Sequence, residues 1–115
     1  MANKIAILKF RAVNKDIFEA IRDGRKKIET RAGTEKYRDI KAGDTLVLVC
    51  GKKNFEKKVK RVQTFRSIAA MLKRYKVKDI DPRLKTKEEL EKIYHSFPNY
   101  REKIKKYGLI AFGLE

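Results

Sequence analysis

In the segment Asp23-Gly24-Arg25-Lys26-Lys27-Ile28-Glu29-Thr30-Arg31-Ala32-Gly33, the stretch between the two glycines sets one acid, Glu29, among four basic side chains. A carboxylate flanked by lysine and arginine stays ionised, because neighbouring positive charge favours the charged form. Such a group can orient or deprotonate a water. A lysine in a partly apolar pocket can serve as acid or base or steady an oxyanion. Lys26, Glu29 and Arg31 are therefore the candidates for chemistry. The same pattern also fits a solvated edge strand whose ion pairs contribute little individually.

Strand alternation over 26–31 puts Ile28 and Thr30 on one face and Lys27, Glu29 and Arg31 on the other. Lys26 stands at a helix-to-strand junction, where alternation does not fix its direction. The helix is legible in 14–24. Asn14 can cap it, Ile17, Phe18 and Ile21 share a face, and Gly24 suits the position after its end. A strand over 4–10 precedes it.

After the strand, 32–39 reads as a loop, 40–44 as a turn and 45–50 as a buried strand. Gly51 to Asn54 signals a tight hairpin into a long basic strand over 55–65. Val59 and Val62 have opposite parity there, which predicts a β-bulge between them. A helix should follow with Thr64 as cap and Phe65, Ile68, Ala69, Leu72 and Tyr75 as its buried stripe. Residues 76–85 read as a loop stopped by Pro82. Thr86 and Glu89 form a capping box for the next helix, with Leu90, Ile93, Tyr94 and Phe97 on its apolar face. Another helix ends at Gly108, and 109–114 closes as a strand. About five strands with segregated helices predict one α+β domain over 1–115, with a curved, mostly antiparallel sheet or small barrel.

Composition narrows the partners. The formal net charge is +16 on 115 residues, which attracts polyanions such as RNA. The apolar fraction of 42% in periodic blocks supports a packed core rather than a disordered basic tail. Abundant lysine and glutamate match thermophile-like surfaces. One cysteine, Cys50, and one histidine, His95, build neither a disulfide framework nor a metal set, so no metal or cofactor is expected. Cys50 reads as a small core residue, and His95 as a helix-end residue. No long apolar span or secretory leader pattern is present, and the expected setting is cytoplasmic, without membrane contact. Lys52, Lys53, Lys57, Lys58, Lys60 and Arg61, with Phe55 among them, read either as a phosphate-contacting ribbon or as a lysine-guarded edge. Lys103, Lys105 and Lys106 extend the positive surface. Tyr37 and Tyr100 carry rings that could stack on a base.

The pattern Gly24-x-Lys26-x-x-Glu29-x-Arg31, then Tyr37-x-x-Ile40-Lys41-x-Gly43-Asp44, and finally Tyr107 to Phe112, resembles the signature of ASCH domains over nearly the whole chain. That resemblance implies a PUA-like barrel and a ligand cleft beside the Gly24 junction, with Arg31, Gly24 and Tyr37 as substrate-binding candidates. ASCH domains are thought to bind RNA. One subgroup resembles small amidohydrolases that remove acyl groups from N4-acylated cytidine, using a lysine, a threonine three residues on and a downstream acid. Here the lysine is Lys26, but Glu29 stands in the threonine position. Asp81, or Asp79, is the candidate acid. Each also reads as a loop residue, Asp81 as the turn residue before Pro82. The expectation is an amidohydrolase acting on a modified nucleoside through Lys26, Glu29 and Asp81, as a monomer or weak dimer. The alternatives are a non-catalytic RNA-binding module or a metal-independent ribonuclease.

Overall fold

The computed structural model describes residues 3–115. Five strands form one sheet: β1 (Ile5–Phe10), β2 (Ile28–Ala32), β3 (Thr45–Cys50), β4 (Lys53–Phe65) and β5 (Leu109–Leu114), in the order β1-β3-β4-β5-β2. β1 runs parallel to β3, and the other three pairings are antiparallel. The sheet curls into a half barrel whose edges, β1 and β2, approach without pairing. Six helices flank it: α1 (Lys15–Arg22), α2 (Glu35–Arg38), α3 (Ile68–Met71), α4 (Val77–Ile80), α5 (Lys87–Ser96) and α6 (Tyr100–Tyr107). A single 3-10 turn, Ala12–Asn14, leads into α1.

The continuous apolar run of β5 is explained by burial on both faces. Ile110, Phe112 and Leu114 join Leu8, Phe18, Leu46 and Leu48 inside the curl. Leu109 and Ala111 join Ile28, Met71, Leu90 and Ile104 beneath the helices. A strand sandwiched this way loses the polar alternation of a half-solvated one. The chain enters β5 through Gly108, whose φ is +73° and whose missing Cβ would run into the Phe65 carbonyl. Only glycine fits there.

The β-bulge lies between Val59 and Arg61, and it lets both Val59 and Val62 pack on the inner core. The hairpin turns through Gly51 and Lys52, and the capping box of α5 closes as the spacing requires, with Thr86 Oγ1 accepting from Glu89 N–H. Four local readings need correction. β4 continues through Thr64, so the cap of α3 is Ser67, which accepts from Ala70 N–H at 3.1 Å. That helix is one turn long, and Met71, not Ala69, is its buried anchor. The expected loops at 32–39 and 76–85 contain α2 and α4. Asn14 sits at the head of α1, but its side chain makes no capping bond.

Candidate functional site

The end of α1 fixes the junction. Gly24 has φ +86° and turns the chain out of the helix. Arg25 folds back on Asp23, with Nε 2.8 Å from Oδ2. Lys26 N–H then donates to the Ala20 carbonyl at 3.0 Å, which anchors the residue against the helix. The Lys26 side chain is thereby turned inward, where it is only 2% exposed. Its Nζ donates to Glu29 Oε1 at 2.9 Å and to the Ile28 carbonyl.

Glu29 is held from both sides. Oε1 takes the lysine, and Oε2 accepts from Arg31 Nε at 3.2 Å and Nη2 at 3.1 Å. Burial alone would raise the carboxyl pKa. The charges of Lys26 and Arg31 outweigh it and hold the group below the ordinary glutamate value. Arg31 Nη2 also donates to the Lys9 carbonyl at 3.3 Å, spanning the gap between the two sheet edges. Its guanidinium lies 4.9 Å from the Phe10 ring centroid and 5.9 Å from that of Tyr37. The segment is therefore a buried ion cluster, not a solvated edge.

A cavity of about 340 Å³ lies between β1 and β2. Glu29, Thr30 and Arg31 line one side, and Lys9, Phe10, Arg11 and Asn14 line another. Asp81 and Arg83 stand beyond the end of α4. Tyr94 in α5, Phe97 just past its end and Tyr100 at the start of α6 supply an aromatic wall. Phe97 meets Tyr100 edge-on, with centroids 5.1 Å apart, and Tyr94 stacks on Tyr100 at 6.2 Å. The Tyr94 hydroxyl is hydrogen-bonded to Thr30 Oγ1, and Tyr100 Oη accepts from Ala32 N–H at 3.3 Å. Burial pushes both phenols above their ordinary pKa, so they stay protonated.

The candidate residues fall into place unevenly. Asp81 lines the cavity, buried and gripped by Arg83, whose Nε and Nη2 lie 3.0 and 2.9 Å from its two oxygens. Asp79 does not line it. Its carboxylate accepts from Lys76 N–H and caps α4. Lys26 sits behind Glu29 and adds no surface to the cavity. Gly24 and Tyr37 are also outside the lining. Gly24 serves the turn, and Tyr37 packs against the inner core next to Arg31.

The basic hairpin is not one ribbon. Lys53 is level with Cys50 and Phe10, so the hairpin tip lies at the cavity end of the sheet. Lys57 is level with Ala6, about 13 Å further along at 3.3 Å per residue. Lys57 is half-buried, whereas Lys52, Lys58 and Lys60 are exposed and Arg61 lies across Gly113. Phe55 packs on Phe18 with centroids 4.8 Å apart, so its ring is spent on the core and not on a base.

Thr30, Tyr94, Phe97 and Asn14 entered the site unannounced. Tyr94 and Phe97 carry the helical spacing of a core stripe, and that signal hid them. The available clue was the phenol of Tyr94, whose polar tip needs a partner when buried. Among the described residues no group of three or more His, Cys, Asp and Glu side chains is placed to hold a metal ion. No helix among them is long and apolar enough to cross a membrane.

No protein-family model matches the sequence, and neither does any curated protein. Solved structures do. The crystal structure of hypothetical protein PH0355 is 34% identical, covers 97% of both chains and superposes with a TM-score of 0.82. The solution structure of protein PF0455 from Pyrococcus furiosus is 32% identical over 96% of each chain, with a TM-score of 0.76. The chain belongs to the family of these two proteins. Its curled sheet and flanking helices are that family's architecture, because the likeness runs nearly end to end in both.

Proposed function

We propose that the cavity between β1 and β2 binds a nucleobase, carried by a free nucleotide or by RNA. The observation behind this reading is the placement of Glu29. It is an ionised carboxylate, fixed by Lys26 and Arg31, on the wall of a cavity faced by aromatic rings. Lys26 occupies one acceptor position of Oε1, and a carboxylate oxygen has a second. That position suits an exocyclic amino group of a base. The aromatic wall suits the flat face of the ring. A volume of about 340 Å³ lies at the small end of ligand pockets and accommodates one nucleoside. Lys9, Arg11 and Lys103 line the cavity without an acidic partner among the described residues, which favours a phosphate-bearing ligand. The overall charge of +16 adds attraction for RNA. The ASCH-like signature points the same way.

Amide hydrolysis of N4-acylated cytidine is the second reading. It is favoured by two carboxylates, Glu29 and Asp81, and the Thr30–Tyr94 hydroxyl pair in one cavity. Glu29 would orient the attacking water, and Lys26 would act as a positioning residue behind it. A carboxylate held below its ordinary pKa is a weak base, and this weighs toward binding.

Calorimetric titration with cytidine monophosphate and a short RNA, alongside incubation with N4-acetylcytidine, tests both. Binding predicts saturable isotherms, weakened about tenfold or more by Tyr100→Ala, and no release of cytidine. Release of cytidine that stops in Glu29→Gln establishes the hydrolase reading instead. No saturable binding to any of the three refutes both.

A further inference from the structure

Tyr37, Tyr100 and Tyr107 are half-buried, and each has a cation beside its ring. Lys36 Nζ lies 5.5 Å from the Tyr37 centroid, and Lys103 Nζ 6.0 Å from that of Tyr100. Tyr107 has two, Lys106 Nζ at 5.1 Å and the Arg38 guanidinium at 5.6 Å. None of these four cations has an acidic partner among the described residues. Only Tyr100 and Lys103 belong to the cavity lining. The rest form a second surface beside it.

One chain of contacts joins these residues. Tyr100 and Tyr107 are seven residues apart on α6, so they share a face about 10 Å long, with Lys103 between them. Tyr100 Oη accepts from Ala32 N–H at 3.3 Å, and the preceding residue, Arg31, lies 5.9 Å from the Tyr37 ring. Gly33 N–H donates to the Gly108 carbonyl at 2.9 Å, which sets the approach to α2 against the end of α6. A Cβ on Gly33 would meet the Tyr107 carbonyl at 2.8 Å, so this close approach requires glycine. Arg38 is held by its Nε bond to the Gly33 carbonyl at 3.0 Å, with its guanidinium over Tyr107. The surface thus runs from the cavity rim at Tyr100 along α6 to Tyr107 and across to α2.

Its charge is positive. α6 carries Arg101, Lys103, Lys105 and Lys106 against one acid, Glu102, which lies about 200° round the helix from Tyr100 and makes no ion pair with Lys106 one turn on. On α2, Glu35 stands two residues before Tyr37, and Asp39, just past the helix, is paired with Lys4. Free cations beside partly exposed rings are the two components of single-strand binding: charge for the backbone and π-faces for the bases. An acidic protein segment would use the charges and leave the rings idle, and a duplex keeps its base faces stacked on one another. We propose that a single-stranded RNA with one base in the cavity continues over Lys103 along α6 to Tyr107, Arg38 and Lys36. The inference rests on the cavity's holding a nucleobase, and it makes the ligand an oligonucleotide rather than a free nucleotide.

The test uses the full chain, a labelled short cytidine-rich RNA read by fluorescence anisotropy, and cytidine monophosphate read by calorimetry. The RNA should bind at least about tenfold more tightly than the mononucleotide. Lys36→Gln/Lys106→Gln removes two exposed cations. It should weaken RNA binding about tenfold, lower the salt slope by about 1.4, the share of two phosphate contacts on a single strand, and leave cytidine monophosphate binding unchanged. Lys58→Gln/Lys60→Gln removes the same charge from the hairpin and should have a several-fold smaller effect. Tyr107→Leu should weaken RNA several-fold with the salt slope kept, because it removes a ring and no charge. Four results overturn the proposal: RNA bound no more tightly than cytidine monophosphate, equal losses in the hairpin and α2–α6 double variants, a duplex of the same sequence bound as well as the single strand, or polyglutamate competing as strongly as unlabelled RNA. If cytidine monophosphate fails to bind while RNA still depends on Lys36 and Lys106, the cavity reading falls and the α2–α6 surface stands.

Discussion

Replacing Glu29 by glutamine removes one charge from a cluster built around it. The Lys26–Glu29 pair lies at 2.9 Å, with the side chains 2% and 7% exposed. At an effective dielectric constant of 20 the attraction is about 6 kcal/mol, most of it offset by the cost of taking both ions out of water. The substitution removes the attraction and leaves the cost on Lys26, whose ammonium keeps only the Ile28 carbonyl and a neutral amide. Breaking a buried pair in this way costs about 3–5 kcal/mol. That is a large share of the roughly 5–15 kcal/mol typical of a small domain. Urea denaturation followed by circular dichroism reads it directly. The double variant Lys26→Met/Glu29→Gln removes the stranded charge and should recover at least half of the loss. The pH dependence has a definite sign. The depressed Glu29 pKa contributes stability that is complete above its ordinary value of 4.5 and lost as pH falls from there through the folded-state value. The wild-type advantage over Glu29→Gln should shrink over that window. A loss below about 1 kcal/mol at neutral pH, or a double variant no better than the single, would show that Glu29 does not offset a buried charge on Lys26.

Two further outcomes check the frame that carries the site. Thr86→Ala removes the bond to Glu89 N–H and should lower stability by about 1 kcal/mol by the same denaturation measurement, with nucleotide binding retained in what folds. Gly108→Ala forces a side chain into the left-handed region and against the Phe65 carbonyl, and should cost at least about 1–3 kcal/mol, seen as a lowered midpoint of thermal unfolding.

Elements governed by local rules were legible in the sequence. The α5 capping box, the Gly51 hairpin and the bulge after Val59 all follow from neighbours in the chain. The sheet order does not, because β2 pairs with β5 across most of the sequence. In the site, alternation placed Glu29 and Arg31 together on one face, and the cluster followed. Burial was the missing quantity. Charged residues on a strand resemble a wet edge until the helices that cover them are known. Lys26 illustrates the limit most clearly. Its direction is set by the bond from its own amide to the Ala20 carbonyl, which no spacing rule encodes. Tyr94 illustrates the converse, since a residue spaced as core turned out to place its hydroxyl on Thr30 at the cavity wall.

In the proposed function the cavity between β1 and β2, and not the basic hairpin, holds the base. Backbone and side-chain NMR shifts during titration with cytidine monophosphate test it most directly. Saturable shifts are expected at Glu29, Thr30, Tyr94 and Tyr100, with Lys57, Lys58 and Lys60 unmoved. Shifts confined to the hairpin residues, with the cavity residues silent, would contradict it.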